Sequence, residues 1–286
     1  MLKHFKKLIA SSPLLQVTSF NSFSISIKLL TSFAVSKLIA LFLGPSGLTY
    51  IGNLRNVLSI LQNFSIGGLN NAVVKYTGET KSDAKSYKTF ISTLFWVFVG
   101  LSVLVFSVVF GFSKTLASHV FNDASYNYVF KWTAVLLPLF GLNTFLMAIL
   151  NGLNHFKKVI RINLFTHILN LLVFGICIYT FGLSGALMAV VIVPSASLIL
   201  TLLFAHQHFN FYVIDWSSFS SIFLKHFGQY AFMTLISAVS FPLVYLGIRQ
   251  YLSDNISVDA AGYWEANFRL STFYLVFMQS LLSLYI

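Results

Sequence analysis

Basic residues occur inside apolar stretches of this sequence that are long enough to cross a lipid bilayer. A charged side chain at membrane depth is costly unless it lines a watery cavity or binds an ion of opposite charge. Acids are scarce in the same stretches, so these cations predict a site for an anion. The candidate site residues are Lys28, Lys37, Asn53, Arg55, Arg249, Arg269 and the one nearby acid, Glu265.

The first helix carries two of these cations on different faces. Lys28 and Lys37 are nine residues apart, which places them on nearly opposite sides of a straight helix. Lys37 lies near a helix end and fits a membrane-interface anchor as well as a site residue. Arg55 follows Asn53 by two residues and lies about two turns into its helix, too deep to reach the interface easily.

The last two helices carry the other charges. Arg249 lies near a helix end, so an anchoring role and a role in the site are both open. Glu265 and Arg269 are four residues apart on one helix face. They form either a self-neutralised ion pair or a relay for a proton or cation.

Composition indicates an all-α polytopic membrane protein. Hydrophobic residues make up 57% of the chain, charged residues 9%, and the mean hydropathy is +0.82, whereas a soluble domain is about a quarter charged. The net charge of +11 comes largely from short loops, which argues against a nucleic-acid partner. Cys177 is the single cysteine, so we expect neither a disulfide framework nor a metal site, and no cofactor.

Hydropathy predicts eight membrane helices, because each span needs about 20 apolar residues. Glycine-rich turns at Leu43 to Gly47 and Phe181 to Gly185 separate neighbouring helices. Loops rich in lysine alternate with poor ones, which predicts a cytoplasmic N-terminus. The predicted spans are 20–43, 48–74, 89–112, 127–150, 160–181, 184–205, 227–250 and 260–285.

A short internal repeat relates the two ends of the chain. Asn53-Leu54-Arg55 follows Gly47, and Asn267-Phe268-Arg269 follows Gly262, at similar spacing and about six helices apart. Repeated halves with a binding site between them are a common plan for transporters.

Several motifs in order resemble those of one membrane-protein family. They are Lys37 to Leu48 with Asn53 to Arg55, Asn71 to Tyr76, Gly182 to Ala186 with Pro194, Phe241 to Tyr245, and Gly262 to Arg269. The collinear set is similar to the O-antigen and lipid III flippases of the multidrug/oligosaccharidyl-lipid/polysaccharide superfamily.

The resemblance implies about twelve helices in a MATE-like fold of two lobes. Residues 1–206 would form a six-helix lobe, and 207–286 the first two helices of a second, incomplete lobe. It also implies translocation of an undecaprenyl-pyrophosphate-linked oligosaccharide across the bacterial inner membrane, with Lys28, Arg55 and Arg269 as cavity cations. A polysaccharide polymerase and chain-length proteins would be further partners.

Other functions fit some of the same features. A lipid II flippase also moves an anionic lipid, and a multidrug or cation antiporter of the superfamily would need unpaired acids in its cavity. Because the family usually has twelve helices, the chain could also be an inactive, truncated remnant. An enzyme is disfavoured, because no set of carboxylates and histidines is placed for acid–base chemistry.

Overall fold

The computed structural model describes residues 13–80, 83–208 and 220–282, and these residues are almost entirely helical. Side chains that repeat on one face bury apolar surface between neighbouring helices, as in other helical bundles. The α-helices are α1 (Pro13–Ile66), α2 (Asn70–Thr80), α3 (Ala84–Gly111), α4 (Ser113–Phe121), α5 (Asn127–Gly152), α6 (Phe156–Ala205), α7 (Ser221–Asn255) and α8 (Val258–Leu282). Short 3₁₀ turns lie at Ala124–Tyr126 and His206–His208.

Two of these helices are divided by a glycine with non-helical torsions. Gly44 in α1 has φ 67° and ψ −167°, and Gly182 in α6 has φ 56° and ψ −133°. Positive φ is strained for residues that carry a Cβ atom, which explains glycine at both positions. The kinks fall in the two turns predicted from the sequence, so each long helix contains two consecutive spans.

A third break, at Gly67 and Gly68, was not predicted. Both glycines have positive φ, 62° and 66°, and they end α1 at Ile66, so the predicted single helix over 48–74 is wrong. A Cβ atom on Gly68 would lie 2.5 Å from the carbonyl oxygen of Ala231 in α7. The close approach of α7 therefore requires glycine here.

Five segments within the described residues are long and apolar enough to cross a membrane. Two of them, Phe20–Thr80 and Phe156–Ala205, contain the kinked helices and are 61 and 50 residues long, about twice the length of one span. With Phe20–Thr80 and Phe156–Ala205 counted as two spans each, the five segments correspond in order to the first seven predicted spans, and α8 occupies the position of the eighth. The chain is a multi-pass membrane protein with an all-α fold.

The core lies where α1, α5 and α6 meet. Buried apolar side chains of the second half of α1, such as Ile51 and Leu54, pack against Phe130 of α5 and Leu187 of α6. Helices α7 and α8 pack on each other and on α1. The α1 helix is therefore the element shared by the six earlier spans and the last two.

Candidate functional site

A cavity of about 450 Å³ lies between α1, α6 and α8. The first half of α1 contributes Lys28 and Ser36, and the second half contributes Arg55. Arg269 enters from α8, and Phe174 and Asn170 enter from α6. We call this space the cationic cavity, because its lining holds three basic side chains and, among the described residues, no carboxylate.

Arg55 is held in this cavity by an aromatic contact. Its guanidinium carbon lies 5.5 Å from the centre of the Phe174 ring, within the range of a cation–π interaction. Within the described part of the chain, no carboxylate lies at ion-pair distance from Arg55. Its charge is therefore available to an anion that enters the cavity.

Arg269 reaches the cavity although the residue is only 9% exposed. Its Nε donates to Glu265 Oε1 at 2.7 Å, and its Nη1 donates to Ser36 Oγ at 3.1 Å. Its Nη2 is buried and has no hydrogen-bond partner among the described residues. A buried donor without a partner is costly, so this nitrogen is suited to bind an oxyanion.

Arg249 is different, because the protein already satisfies all of its nitrogens. Its side chain donates from Nε to Asn53 Oδ1 at 2.7 Å, from Nη1 to Glu265 Oε2 at 2.5 Å, and from Nη2 to the Gly52 carbonyl at 3.0 Å. The residue is 1% exposed, so its interpretation as an interface anchor is wrong. Asn53 in turn donates from Nδ2 to the Val120 carbonyl at 3.2 Å.

Glu265 joins the two arginines into one cluster behind the cavity wall. One carboxylate oxygen accepts from Arg249 and the other from Arg269. The helical spacing predicted the second pair, and the first brings in a residue of α7. Because one carboxylate faces two guanidinium groups, the cluster keeps a positive charge in a low-dielectric setting, where charges interact strongly.

The candidate residues therefore divide into two groups. Lys28, Arg55 and Arg269 line the cationic cavity, while Asn53, Arg249 and Glu265 form the buried network beside it. Lys37 is exposed and is not among the residues lining the cavity. The repeated Asn-x-Arg motifs place both arginines on the same cavity, although Asn267 is exposed and Asn53 is buried.

Sequence reasoning did not identify several neutral residues of the cavity. Ser36, Gln62, Asn170 and Phe174 line it beside the cations. Spacing could have identified Gln62, because it lies seven residues after Arg55 and therefore on the same helix face. Among the described residues, no group of three His, Cys, Asp or Glu side chains could hold a metal ion.

The sequence matches the model of one protein family and has relatives of known name. Residues 38–283 match the family described as "Polysaccharide biosynthesis protein". The chain is 22% identical over 264 residues to the lipid III flippase of Escherichia coli K12, covering 91% of this chain and 63% of that protein. The lipid III flippase of Shigella flexneri matches equally well. The chain therefore spans less than two thirds of the length of these relatives.

Solved transporters share the fold. The MATE multidrug transporter DinF-BH matches with a TM-score of 0.72 and 16% identity, over 94% of this chain and 63% of its own. A MOP superfamily transporter from Pyrococcus furiosus matches with a TM-score of 0.69 and 14% identity, over 93% of this chain and 61% of its own. For that transporter, reverse polarity of the binding pocket suggests a different function. The fold, the motif order and the family match agree. The chain belongs to the polysaccharide biosynthesis protein family, within the multidrug/oligosaccharidyl-lipid/polysaccharide flippase superfamily.

Proposed function

We propose that the protein takes part in flipping an undecaprenyl-pyrophosphate-linked oligosaccharide, an O-antigen or lipid III type of unit, across the bacterial inner membrane. The observation that carries this proposal is the cationic cavity, in which Lys28, Arg55 and Arg269 converge. A diphosphate offers several anionic oxygens, and guanidinium groups bind such oxygens through charge-assisted hydrogen bonds. The relatives named lipid III flippase support the same substrate class.

In this proposal the three cations act together on the head group while the lipid tail stays in the bilayer. Within the part of the chain that the structure describes, Arg55 supplies a charge with no carboxylate partner, and Arg269 supplies the buried Nη2 that has no hydrogen-bond partner. Lys28 lines the cavity from the first half of α1. Rocking of helices around this site would then expose the head group on the other side, with the N-terminus on the cytoplasmic side.

A drug or cation antiporter is the less favoured function, despite its shared fold. Such a transporter needs a free acid in its cavity to hold a cationic substrate. Glu265 is the nearby acid, and both of its oxygens already accept hydrogen bonds from arginines. A flippase of lipid II carries an anionic substrate too, and only a comparison of substrates separates that function from the proposed one.

The test is binding of undecaprenyl pyrophosphate, with undecaprenol as the uncharged reference, to the protein in lipid nanodiscs. We expect the pyrophosphate lipid to bind at least about tenfold more tightly, because ionic hydrogen bonds are the strong ones. Arg55→Gln should remove most of the difference. The exposed Lys131, which does not line the cavity, supplies the matched control Lys131→Gln, which should leave it unchanged. Equal binding of the two lipids to the unsubstituted protein would refute the proposal.

A further inference from the structure

Two smaller cavities open beside the cationic cavity. One, of about 310 Å³, lies between α5 and the two halves of α6, and shares Asn170 and Pro194 with the cationic cavity. The other, of about 290 Å³, lies between α1, α2, α5 and α7, and shares Gln62 with it. Phe140 lines both. We call these two spaces the amide cavities.

The linings of the amide cavities are polar but nearly uncharged. Among the described residues that line them there is no Lys, Arg, Asp or Glu, and His167 is the one histidine. The polar groups are carboxamides and hydroxyls, which can donate and accept hydrogen bonds. The carboxamides are those of Gln62, Asn63, Asn70, Asn71, Asn143, Asn163 and Asn170.

The first half of α6 turns one polar stripe toward these spaces. Asn163, Thr166, His167 and Asn170 line the amide cavity, and Phe174 continues the stripe into the cationic cavity. Their spacing of three, four and seven residues places them on one face of a helix. Polar side chains in a membrane helix turn to the protein interior or to water rather than to lipid, so this face lines a polar interior space.

Some polar groups in these cavities are already used, and others are free. Asn143 donates to Ser197 Oγ at 2.8 Å and accepts from Thr201 Oγ1 at 2.5 Å, which joins α5 to α6. By contrast, the side chains of Gln62 and Asn170 make no hydrogen bond to any other residue that the structure describes. These are the two carboxamides at the openings into the cationic cavity.

We propose that the amide cavities bind the uncharged, hydroxyl-rich sugar part of the substrate, with Gln62 and Asn170 as direct contacts. A sugar hydroxyl both donates and accepts, which matches a carboxamide, while an acidic group would lack a cationic partner in this lining. The inference rests on the proposed function, because the cationic cavity between the two openings would hold the diphosphate. The charged and neutral parts of one head group would then lie in adjoining spaces of matching polarity.

The test compares two lipids that differ only in the sugar. Undecaprenyl pyrophosphate and N-acetylglucosaminyl-pyrophosphoryl-undecaprenol are titrated against the protein in nanodiscs. We expect the sugar to tighten binding about 3- to 10-fold, the range for one or two net hydrogen bonds. Gln62→Leu and Asn170→Leu should each reduce this gain and together abolish it, with the gain of each variant measured against its own affinity for the sugar-free lipid, because both residues also line the cationic cavity.

Binding of the sugar-free lipid also shows whether each variant is folded. Should Asn170→Leu fail to fold, Asn170→Ser is a milder change at the same position. Asn255, exposed at the end of α7, gives the matched control Asn255→Leu, which should keep the full gain. Equal binding of both lipids to the unsubstituted protein would overturn the sugar site while leaving the diphosphate site intact. If the unsubstituted protein bound neither lipid, the proposed function would be overturned and the inference with it.

Discussion

Arg249 and Glu265 form an ion pair that is buried on both sides, with side chains 2% and 6% exposed and an N to O distance of 2.5 Å. The pair joins α7 to α8, and Arg249 extends the connection to α1 through Asn53 and Gly52. A buried pair often adds little net stability, but removing one partner leaves an uncompensated charge. The network therefore holds the wall from which Arg269 reaches the cavity.

Replacing Glu265 by Gln should destabilise the protein by about 3 to 5 kcal/mol, because two buried arginines lose their counter-charge. The measurement is the melting temperature in detergent, which we expect to fall clearly. Asp259→Asn is the control, since Asp259 is an exposed acid in the first turn of the same helix. Equal melting temperatures for the two variants would show that the cluster does not depend on its carboxylate.

Gly52→Ala should disturb the same network by steric conflict. A Cβ atom at this position would lie 2.9 Å from Glu265 Cδ and 3.0 Å from Oε2, so the carboxylate would have to move away from its arginines. We expect the free energy of unfolding to fall by about 1 to 3 kcal/mol, as at other overpacked sites. We also expect weaker binding of undecaprenyl pyrophosphate. Gly175→Ala, where the new methyl group meets no atom within 4 Å, should leave both quantities unchanged.

Arg55→Lys should keep part of the affinity for undecaprenyl pyrophosphate. The charge survives, but the planar guanidinium that lies over Phe174 and its paired donors are lost. We expect binding about 3- to 10-fold weaker than in the unsubstituted protein, and stronger than in Arg55→Gln. Phe174→Leu, which removes only the ring, should weaken binding less than Arg55→Gln. Identical affinities for the Lys and Gln variants would contradict a role for the charge.

Loop charge predicts the orientation of the chain in the membrane. In a Cys177→Ala background, a membrane-impermeant thiol reagent added to intact cells should modify Asp254→Cys and spare Ser82→Cys, because the lysine-rich loop around position 82 stays inside. Both cysteines should react once the cells are permeabilised. Modification of position 82 in intact cells would reverse the proposed topology.

The sequence predicted local relationships better than distant ones. Glu265 and Arg269 are one helical turn apart, so their pairing follows from spacing alone. Arg249 and Asn53 are 196 residues apart, and nothing in either segment specifies that they meet. The predicted turns at Gly44 and Gly182 are confirmed, whereas the apolar run around Gly67 and Gly68 hid a break whose signal was the adjacent pair of glycines.

The division of the chain into lobes over 1–206 and 207–286 remains a prediction. The described helices show α7 and α8 packed on each other and on α1, an arrangement that either a separate lobe or a single bundle would produce. Lys37 as a binding residue also remains a prediction, since the structure places it on an exposed face. Its neighbour Ser36 instead contacts Arg269.

Gly44→Ala should lower the free energy of unfolding by about 1 to 3 kcal/mol, through backbone strain alone. The added methyl group would meet no atom within 4 Å, but φ is +67° at this position. Gly100→Ala is the matched control, because Gly100 lies within a helix and also has open space around its Cα. A melting temperature for Gly44→Ala as high as that of the control would mean that the kink relaxes into regular helix.

The Gly44 kink also divides α1 into two arms whose relative angle depends on the backbone torsions of one residue. Beyond the kink, Gly262 lies against the Pro45 carbonyl so closely that a Cβ atom there would meet it at 2.0 Å, which clamps the half of α1 that bears Arg55. Lys28 is 16 residues from Gly44 on the other arm, about 24 Å at the helical rise of 1.5 Å per residue. A turn of roughly 10° at Gly44 would therefore carry Lys28 about 4 Å while Arg55 stayed in place. The backbone torsions of Gly44 therefore help to set the distance between two charges of the cavity.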